Sequence, residues 1–340
     1  MYTRTAVTRR QFILRSAAVS VLAVDSVNSR AEGVPAAVVG SCAHKTAEEV
    51  TAGRDLMGKT ALLTGCSAGI GYETLRVLVL RGAHVYGLAR SMQKAEKACR
   101  DVTGAGIKGQ ATPFACEQAD FSSVATCADA VQARGVPIDI LVCNAGIYGI
   151  PKLELAEGVE KQFAVNHLSH FILVNRLLEL VRAAPQGRIV VTGSDVPPAD
   201  EEIGIEFDNL AGQRSYDMSK TYHQSKLASA LFVRELARRL SGSRATANGL
   251  TPGGVKTEHA AQHFQSHYNM DPAKMNLKTV EQGAATTCYV ATDLALARVN
   301  GAFFEDCDVV VPAGHIGDAA TAQKLWVISE RLTHRYLKRA

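Results

Sequence analysis

Residues 64–71 read TGCSAGIG and stand between a short apolar run, KTALLTG, and a helix-forming stretch, YETLRVLVLRG. Glycines 65, 69 and 71 permit a tight turn. They also let main-chain N–H groups approach a phosphate at the positive end of the following helix. The spacing is Gly-x-x-x-Gly-x-Gly rather than the commoner Gly-x-Gly-x-x-Gly. A glycine turn of this kind can also be simple turn chemistry, so its surroundings must decide.

The surroundings repeat the pattern. AHVYGLA, IDILVCNAG, GRIVVTG, ATANGLTPGG and GAFFED are further apolar or β-branched runs. Helical stretches separate them: SMQKAEKACRDV, then long segments around residues 158–184 and 220–240. Strands apolar along their whole length, alternating with helices, predict a parallel sheet covered on both faces. We expect one α/β domain over residues 57–335, a single Rossmann-type doubly wound parallel β-sheet with helices on both faces. Residues 32–56 are small and polar without a sustained period and read as a linker.

In a dinucleotide fold, a residue about 20 positions past the glycines selects the cofactor. A carboxylate there accepts from a ribose hydroxyl, whereas an arginine pairs with a 2′-phosphate. Here Ala89 takes the acid position and Arg90 follows, which favours NADP(H) over the alternative, NAD(H). The plainer reading of Arg90 is a solvated residue at a helix start.

Composition bounds the rest. Hydrophobic residues make up 47% and charged residues 21% of 340, as in an ordinary globular protein. Residues 1–31 carry five arginines against Asp25, which accounts for the whole net charge of +4. The neutral remainder gives no electrostatic argument for nucleic acid or a membrane surface. The N-terminus itself, TRRQFILRSAAVSVLAVDSVNSRA, resembles a twin-arginine export signal. Arg9-Arg10 precede the apolar run Ala17 to Val24, and Ser29 and Ala31 are small residues suited to cleavage. That run is far short of the ~20 residues that span a bilayer. Export to the periplasm is the expectation, with a cytoplasmic or organellar location as the alternative. The eight cysteines show no CxxC pair and no metal-ligand spacing, so they read as small core residues of a chain folded under reducing conditions.

Residues 216–226, YDMSKTYHQSK, contain two overlapping Tyr-x-x-x-Lys pairs, Tyr216/Lys220 and Tyr222/Lys226. A lysine one helical turn from a tyrosine favours the phenolate and equips the phenol for proton transfer. Spacing does not choose between the pairs, but charge does. Tyr216 is followed by Asp217, which opposes a phenolate, while Tyr222 has neutral neighbours and runs into the helical LASALFVRELARRL.

Taken together, these stretches resemble the short-chain dehydrogenase/reductase family over residues 58–335. Thr64 to Gly71, with Ser67 and Ile70 inside it, fits the family's nucleotide loop. Asp120-Phe121 sits where the family contacts the adenine ring, and Asn144-Ala145-Gly146 matches its Asn-Ala-Gly strand end. Pro252-Gly253, with Val255 and Thr257 beyond, resembles the turn that positions the nicotinamide. Asn166 in VNHLSHF, Ser194 after GRIVVTG, Tyr222 and Lys226 match the catalytic tetrad. IEFDNL, FFEDC and KLWVISERL are similar to the retinol-dehydrogenase and WW-domain-oxidoreductase branch.

The resemblance implies hydride transfer between a nicotinamide and a lipophilic alcohol, aldehyde or ketone. Tyr222 would be the general acid or base. Lys226 would tune it and hold the nicotinamide ribose, Ser194 would hold the substrate oxygen, and Asn166 would hold a relay water. Residues 259–279 would close over a small-molecule substrate. Within them His259, His263 and His267 read as one face of a helical lid, and no metal is expected. A homodimer is implied by analogy. The competing readings are a protochlorophyllide-type reductase and a non-catalytic NADP-binding regulatory or scaffold protein.

Overall fold

The structure, a computed structural model, describes residues 41–194, 204–258, 271, 274–310 and 314–337. Its centre is an eight-stranded sheet in the order β10-β9-β8-β7-β4-β1-β2-β3. The strands are β1 (Thr60–Thr64), β2 (His84–Ala89), β3 (Gln110–Ala115), β4 (Ile140–Cys143), β7 (Arg188–Thr192), β8 (Thr246–Thr251), β9 (Phe303–Glu305) and β10 (Asp308–Val310). All pairings are parallel except β9 with β10. β1 pairs with β2 on one side and β4 on the other, so the chain reverses its winding there. Ligands of open α/β sheets bind beyond the strand ends at such a switch point. Here those ends are Thr64 and Cys143-Asn144.

β1, β4, β7 and β8 are buried throughout, as apolar runs covered on both faces require. Alternate side chains feed two cores. Leu62 joins the helices α4 (Phe121–Gln132), α5 (Ser169–Ala183), α6 (Met218–Arg239) and α9 (Ala319–Thr333). Ala61 and Leu63 join α2 (Gly69–Leu80), α3 (Met92–Asp101) and α8 (Ala285–Thr292) on the opposite face. The doubly wound expectation therefore holds.

Three local features differ from expectation. β3, QATPFA, carries Pro113 and lacks an apolar run; as the edge strand it tolerates a residue without a ladder donor. Residue 158, expected helical, lies in the turn of a small hairpin, β5 (Leu155–Ala156) and β6 (Val159–Glu160). Glu157 and Gly158 there have φ of 54° and 82°. A short helical turn, Lys161–Phe163, then a π-turn, Ala164–Leu168, lead into α5.

The third difference is the segment 41–56, which is no linker. It forms α1 (Ala47–Val50), opened by a reciprocal Thr46/Glu49 capping box and packed through the fully buried Ala47. Arg76 pairs with Glu48, and Arg54 pairs with Asp293. Cys42 is disulfide-bonded to Cys307 in the β9–β10 turn, with a Cα–Cα distance of 5.5 Å. This corrects the reading of all eight cysteines as reduced core residues. The partners lie 265 residues apart, and no local spacing announces them. The other six thiols are free and buried; burial raises Cys66 to about 12 and Cys99 to about 11.

The bond closes a very long loop, so Cys42→Ser should cost about 2–4 kcal/mol and lower Tm by roughly 5–15 °C. A thermal melt with and without a dithiol reductant checks this. An unchanged Tm in both comparisons would contradict it.

Candidate active site

The glycine loop is built as the phosphate argument requires. Gly65 and Gly69 have φ of +73° and +53°, the left-handed region where a side chain is strained. A Cβ on Gly71 would lie 2.1 Å from the Gly65 carbonyl oxygen and 2.5 Å from Asn144 Nδ2. The N–H groups of Gly65 and Cys66 both donate to Leu88 O, at 2.9 and 3.1 Å. This ties the loop to the end of β2, just ahead of buried Ala89 and exposed Arg90.

The start of α2 differs from the starts of α3, α4, α6 and α9, though not from those of α5 and α8. Its N-cap is Ala68, with no side-chain cap and no acid in the first turn. α3, α4, α6 and α9 are each capped by a side chain, from Ser91, Asp120, Asp217 and Asp318. The uncapped N–H groups and the cradle that a Cβ would fill fit a dinucleotide diphosphate. Ser67 is exposed on this loop, while Ile70 packs inward against the cluster of Ala47 and Val77.

One expected contact changes. The Phe121 ring is buried edge-on to Tyr336, so its side chain is not available to an adenine ring. Its apolar character serves the core. Asp120 is exposed, but its carboxylate caps α4 by accepting from Ser122 N and Ser123 N.

The floor is held by Thr64. Its Oγ1 accepts from the N–H groups of Asn144 and Ala145, each at 2.9 Å, while Asn144 Nδ2 donates to Thr64 O at 3.0 Å. From the other half of the sheet comes the Pro252-Gly253 turn. Gly253 has φ of +72° and donates to Thr251 Oγ1. Lys278 fixes the turn, donating to Pro252 O at 3.0 Å and pairing with Asp306. Val255 is buried and bridges to Lys278. The Thr257 methyl lies 3.3 Å from where a Gly69 Cβ would stand, so this turn reaches the glycine loop.

Near Gly146 lie Asn166 and Lys226, with Tyr222 one helical turn before Lys226. Tyr222 and Lys226 occupy successive turns near the start of α6. Lys226 is buried, its Nζ donating to Thr192 O at 3.1 Å and lying 5.8 Å from the Tyr222 ring centroid. Among the described residues no carboxylate pairs with it, and burial lowers its pKa to about 8. Asn166 lies in the π-turn; its Oδ1 accepts from Ile147 N at 2.8 Å. Its Nδ2 donates to Ile147 O at 3.0 Å and Ser225 Oγ at 2.9 Å. A Cβ on Gly146 would lie 3.3 Å from Asn166 Oδ1 and 3.5 Å from Lys226 Nζ, so glycine leaves space beside the ammonium. Ser194 is half-buried two residues past Thr192. Residues 259–270, including the three histidines and most of the expected lid, lie outside the described residues, as do 1–40 with the export signal.

Tyr216 and Lys220 are engaged elsewhere. Tyr216 donates to Ile150 O at 2.6 Å, and burial followed by the Glu160 carboxylate raises its pKa. Lys220 pairs with Glu206. A neighbour that sequence reasoning did not single out is Tyr148, whose ring lies 4.4 Å from that of Tyr222. It stands two residues past Asn-Ala-Gly, which was the only signal for it.

A switch-point sheet, a glycine cradle at an uncapped helix and a Tyr/Lys pair beside it define a dinucleotide-dependent oxidoreductase fold. The comparisons with known proteins agree. The family model described as short chain dehydrogenase matches residues 59–204. The chain is 33% identical over 302 residues to the WW domain-containing oxidoreductase of Gallus gallus, covering 87% of this chain and 73% of that one. It is 36% identical over 282 residues to human retinol dehydrogenase 13, covering 81% and 84%. A solved structure from Beutenbergia cavernae, described as an NAD(P)-dependent gluconate 5-dehydrogenase with NADP bound at low occupancy, is 25% identical. It superposes with a TM-score of 0.59, over 74% of this chain and 96% of that one. The chain belongs to the short-chain dehydrogenase family and is an oxidoreductase acting on CH–OH or C=O groups.

Proposed function

We propose that the protein interconverts a lipophilic alcohol and its aldehyde or ketone with NADP(H), using Tyr222 as the proton-transfer group. The observation that carries this is Lys226, a buried ammonium with no carboxylate partner among the described residues, one helical turn from Tyr222. Such a charge in a low-dielectric site favours the phenolate over the phenol. When bound, the nicotinamide supplies or takes the hydride.

The chain's own groups then do the following. Tyr222 protonates the carbonyl oxygen in reduction and takes the hydroxyl proton in oxidation. Ser194 donates a hydrogen bond to that oxygen. Lys226 holds the ribose and steadies the phenolate. Asn166, whose amide is engaged by Ile147 and Ser225, fixes the loop around Lys226 and stands where a relay water would be passed on.

Arg90 supports NADP(H), since it is exposed beyond β2 beside the loop and no carboxylate occupies position 89. The lipophilic substrate is supported by the relative named retinol dehydrogenase and by the Tyr148 ring over Tyr222. The disulfide supports an oxidising compartment, in keeping with the export expectation.

The test is a panel of alcohols and carbonyls, lipophilic and polar, followed by nicotinamide absorbance with each cofactor. Lipophilic members should turn over with kcat/KM at least about tenfold higher for NADP(H) than NAD(H), one phosphate contact's worth of discrimination. Turnover with NAD(H) alone would overturn the Arg90 argument. NADPH binding with no turnover anywhere would favour the non-catalytic reading.

A further inference from the structure

We infer that His170 is a positioning residue: through Thr64 and the Asn166 carbonyl it locks the π-turn to the nucleotide strand and so sets the wall around Lys226. Its catalytic readout rests on the dehydrogenase reading proposed above.

The imidazole is buried, and both ring nitrogens are engaged. Nδ1 lies 3.2 Å from Asn166 O and Nε2 lies 3.0 Å from Thr64 Oγ1. A carbonyl can only accept, so Nδ1 carries the proton and donates it. Nε2 is then an acceptor, and the Thr64 hydroxyl donates to it. Thr64 Oγ1 in turn accepts from the N–H groups of Asn144 and Ala145. This assignment places the Thr64 proton on Nε2, at 3.0 Å, ahead of Val142 O, at 3.5 Å. It requires a neutral ring, because a cationic ring could not accept from Thr64. Burial, with the nearby Lys226 charge, lowers the His170 pKa to about 4 and keeps it neutral.

The consequence is geometric. A π-turn shifts the main-chain ladder from i→i+4 to i→i+5, and side-chain donors add to its carbonyls here. The Asn166 carbonyl takes His170 Nδ1–H, with Ser229 Oγ also within 3.2 Å. The same residue's amide grips Ile147. One helical turn thus holds the Asn144–Ile147 segment at both ends, directly at Ile147 and through His170 and Thr64 at Asn144 and Ala145. Between those ends is Gly146, which faces Lys226 Nζ. An apolar residue in place of His170 would leave the Thr64 hydroxyl to donate to Val142 O at 3.5 Å, and would remove one of the Asn166 carbonyl's donors while Ser229 Oγ remained.

The test is a double-mutant cycle of His170→Phe and Thr64→Val, reading NADPH affinity by fluorescence titration, and kcat and KM for a carbonyl substrate. Each single variant should lower kcat about ten- to hundredfold, the cost of a small misplacement near the reacting groups. KM for the carbonyl should change much less. The double variant should be no worse than the poorer single, because both break one link. His170→Asn, whose amide nitrogen takes the Nδ1 place, should recover part of the loss, whereas His170→Leu should not.

Additive losses would overturn the inference. So would a folded His170→Phe with wild-type kcat and NADPH affinity and only a lower Tm, since the ring would then merely fill the core. If His170→Phe does not fold, His170→Asn takes its place in the cycle. If the wild type binds NADPH but reduces no carbonyl, the dehydrogenase reading falls, and the same cycle on NADPH affinity still decides the link.

Discussion

Tyr222→Phe should lower kcat by roughly 10²–10⁴-fold while leaving NADPH affinity within a few-fold of wild type, the loss associated with a general acid–base group. The substitution deletes one oxygen and keeps the ring. The packing against Tyr148 at 4.4 Å and the approach of Lys226 Nζ to the ring, 5.8 Å from its centroid, are therefore retained. What disappears is the hydroxyl proposed to give or take the proton. The proposed dinucleotide cradle comprises Gly65, Gly69, Gly71 and the start of α2, none of which depends on that hydroxyl. A loss confined to kcat is the signature of an interaction made only in the transition state.

Lys226→Met should lower kcat by roughly 10²-fold or more, because the phenolate loses its neighbouring cation. It should also change how stability depends on pH. The folded-state pKa of Lys226 is about 8, against 10.5 for an ordinary lysine. Below pH 8 both folded and unfolded chains carry the proton, and the folded chain bears the full desolvation cost of the ammonium. Between pH 8 and 10.5 the unfolded chain holds the proton while the folded one releases it, so the wild type gains stability as pH rises. The gain over that window is about 3 kcal/mol. Met fills similar volume without a charge, so the variant should lack this rise and match or exceed wild-type stability at neutral pH. Denaturant titrations of both proteins at pH 7 and pH 10 check this; parallel pH dependence would contradict it.

Much of the sheet was legible because β1, β4 and β7 are short apolar runs that end at glycine or at the Asn-Ala-Gly segment, which is how strands covered on both faces look. β3 was not, because Pro113 and the polar start of QATPFA mimic a loop; only its edge position permits it. α1 was hidden by its length of four residues, and its stability comes from Glu48, Arg76, Arg81 and the Cys42–Cys307 bond rather than from local periodicity.

The candidate site divides in the same way. Tyr222, Lys226, Asn166 and Ser194 could be proposed because side-chain chemistry and order along the chain point to them. Their holders could not. Lys226 is held by the Thr192 carbonyl and Asn166 by the main chain of Ile147, and a carbonyl has no identity in sequence. His170 was visible in VNHLSHF but mute, since its role depends on Thr64, 106 residues away, meeting it across the sheet. Phe121 was only partly legible for the converse reason. Its motif position implied a nucleotide contact, while burial places its ring in the core.

The most direct measurement compares kcat and NADPH affinity side by side for wild type, Tyr222→Phe and Tyr216→Phe on one lipophilic carbonyl. The predicted result is a wild type that oxidises NADPH, a Tyr222→Phe variant that binds it and does not turn over, and a Tyr216→Phe variant close to wild type. Loss of turnover in Tyr216→Phe with turnover retained in Tyr222→Phe would contradict the assignment of the proton-transfer pair.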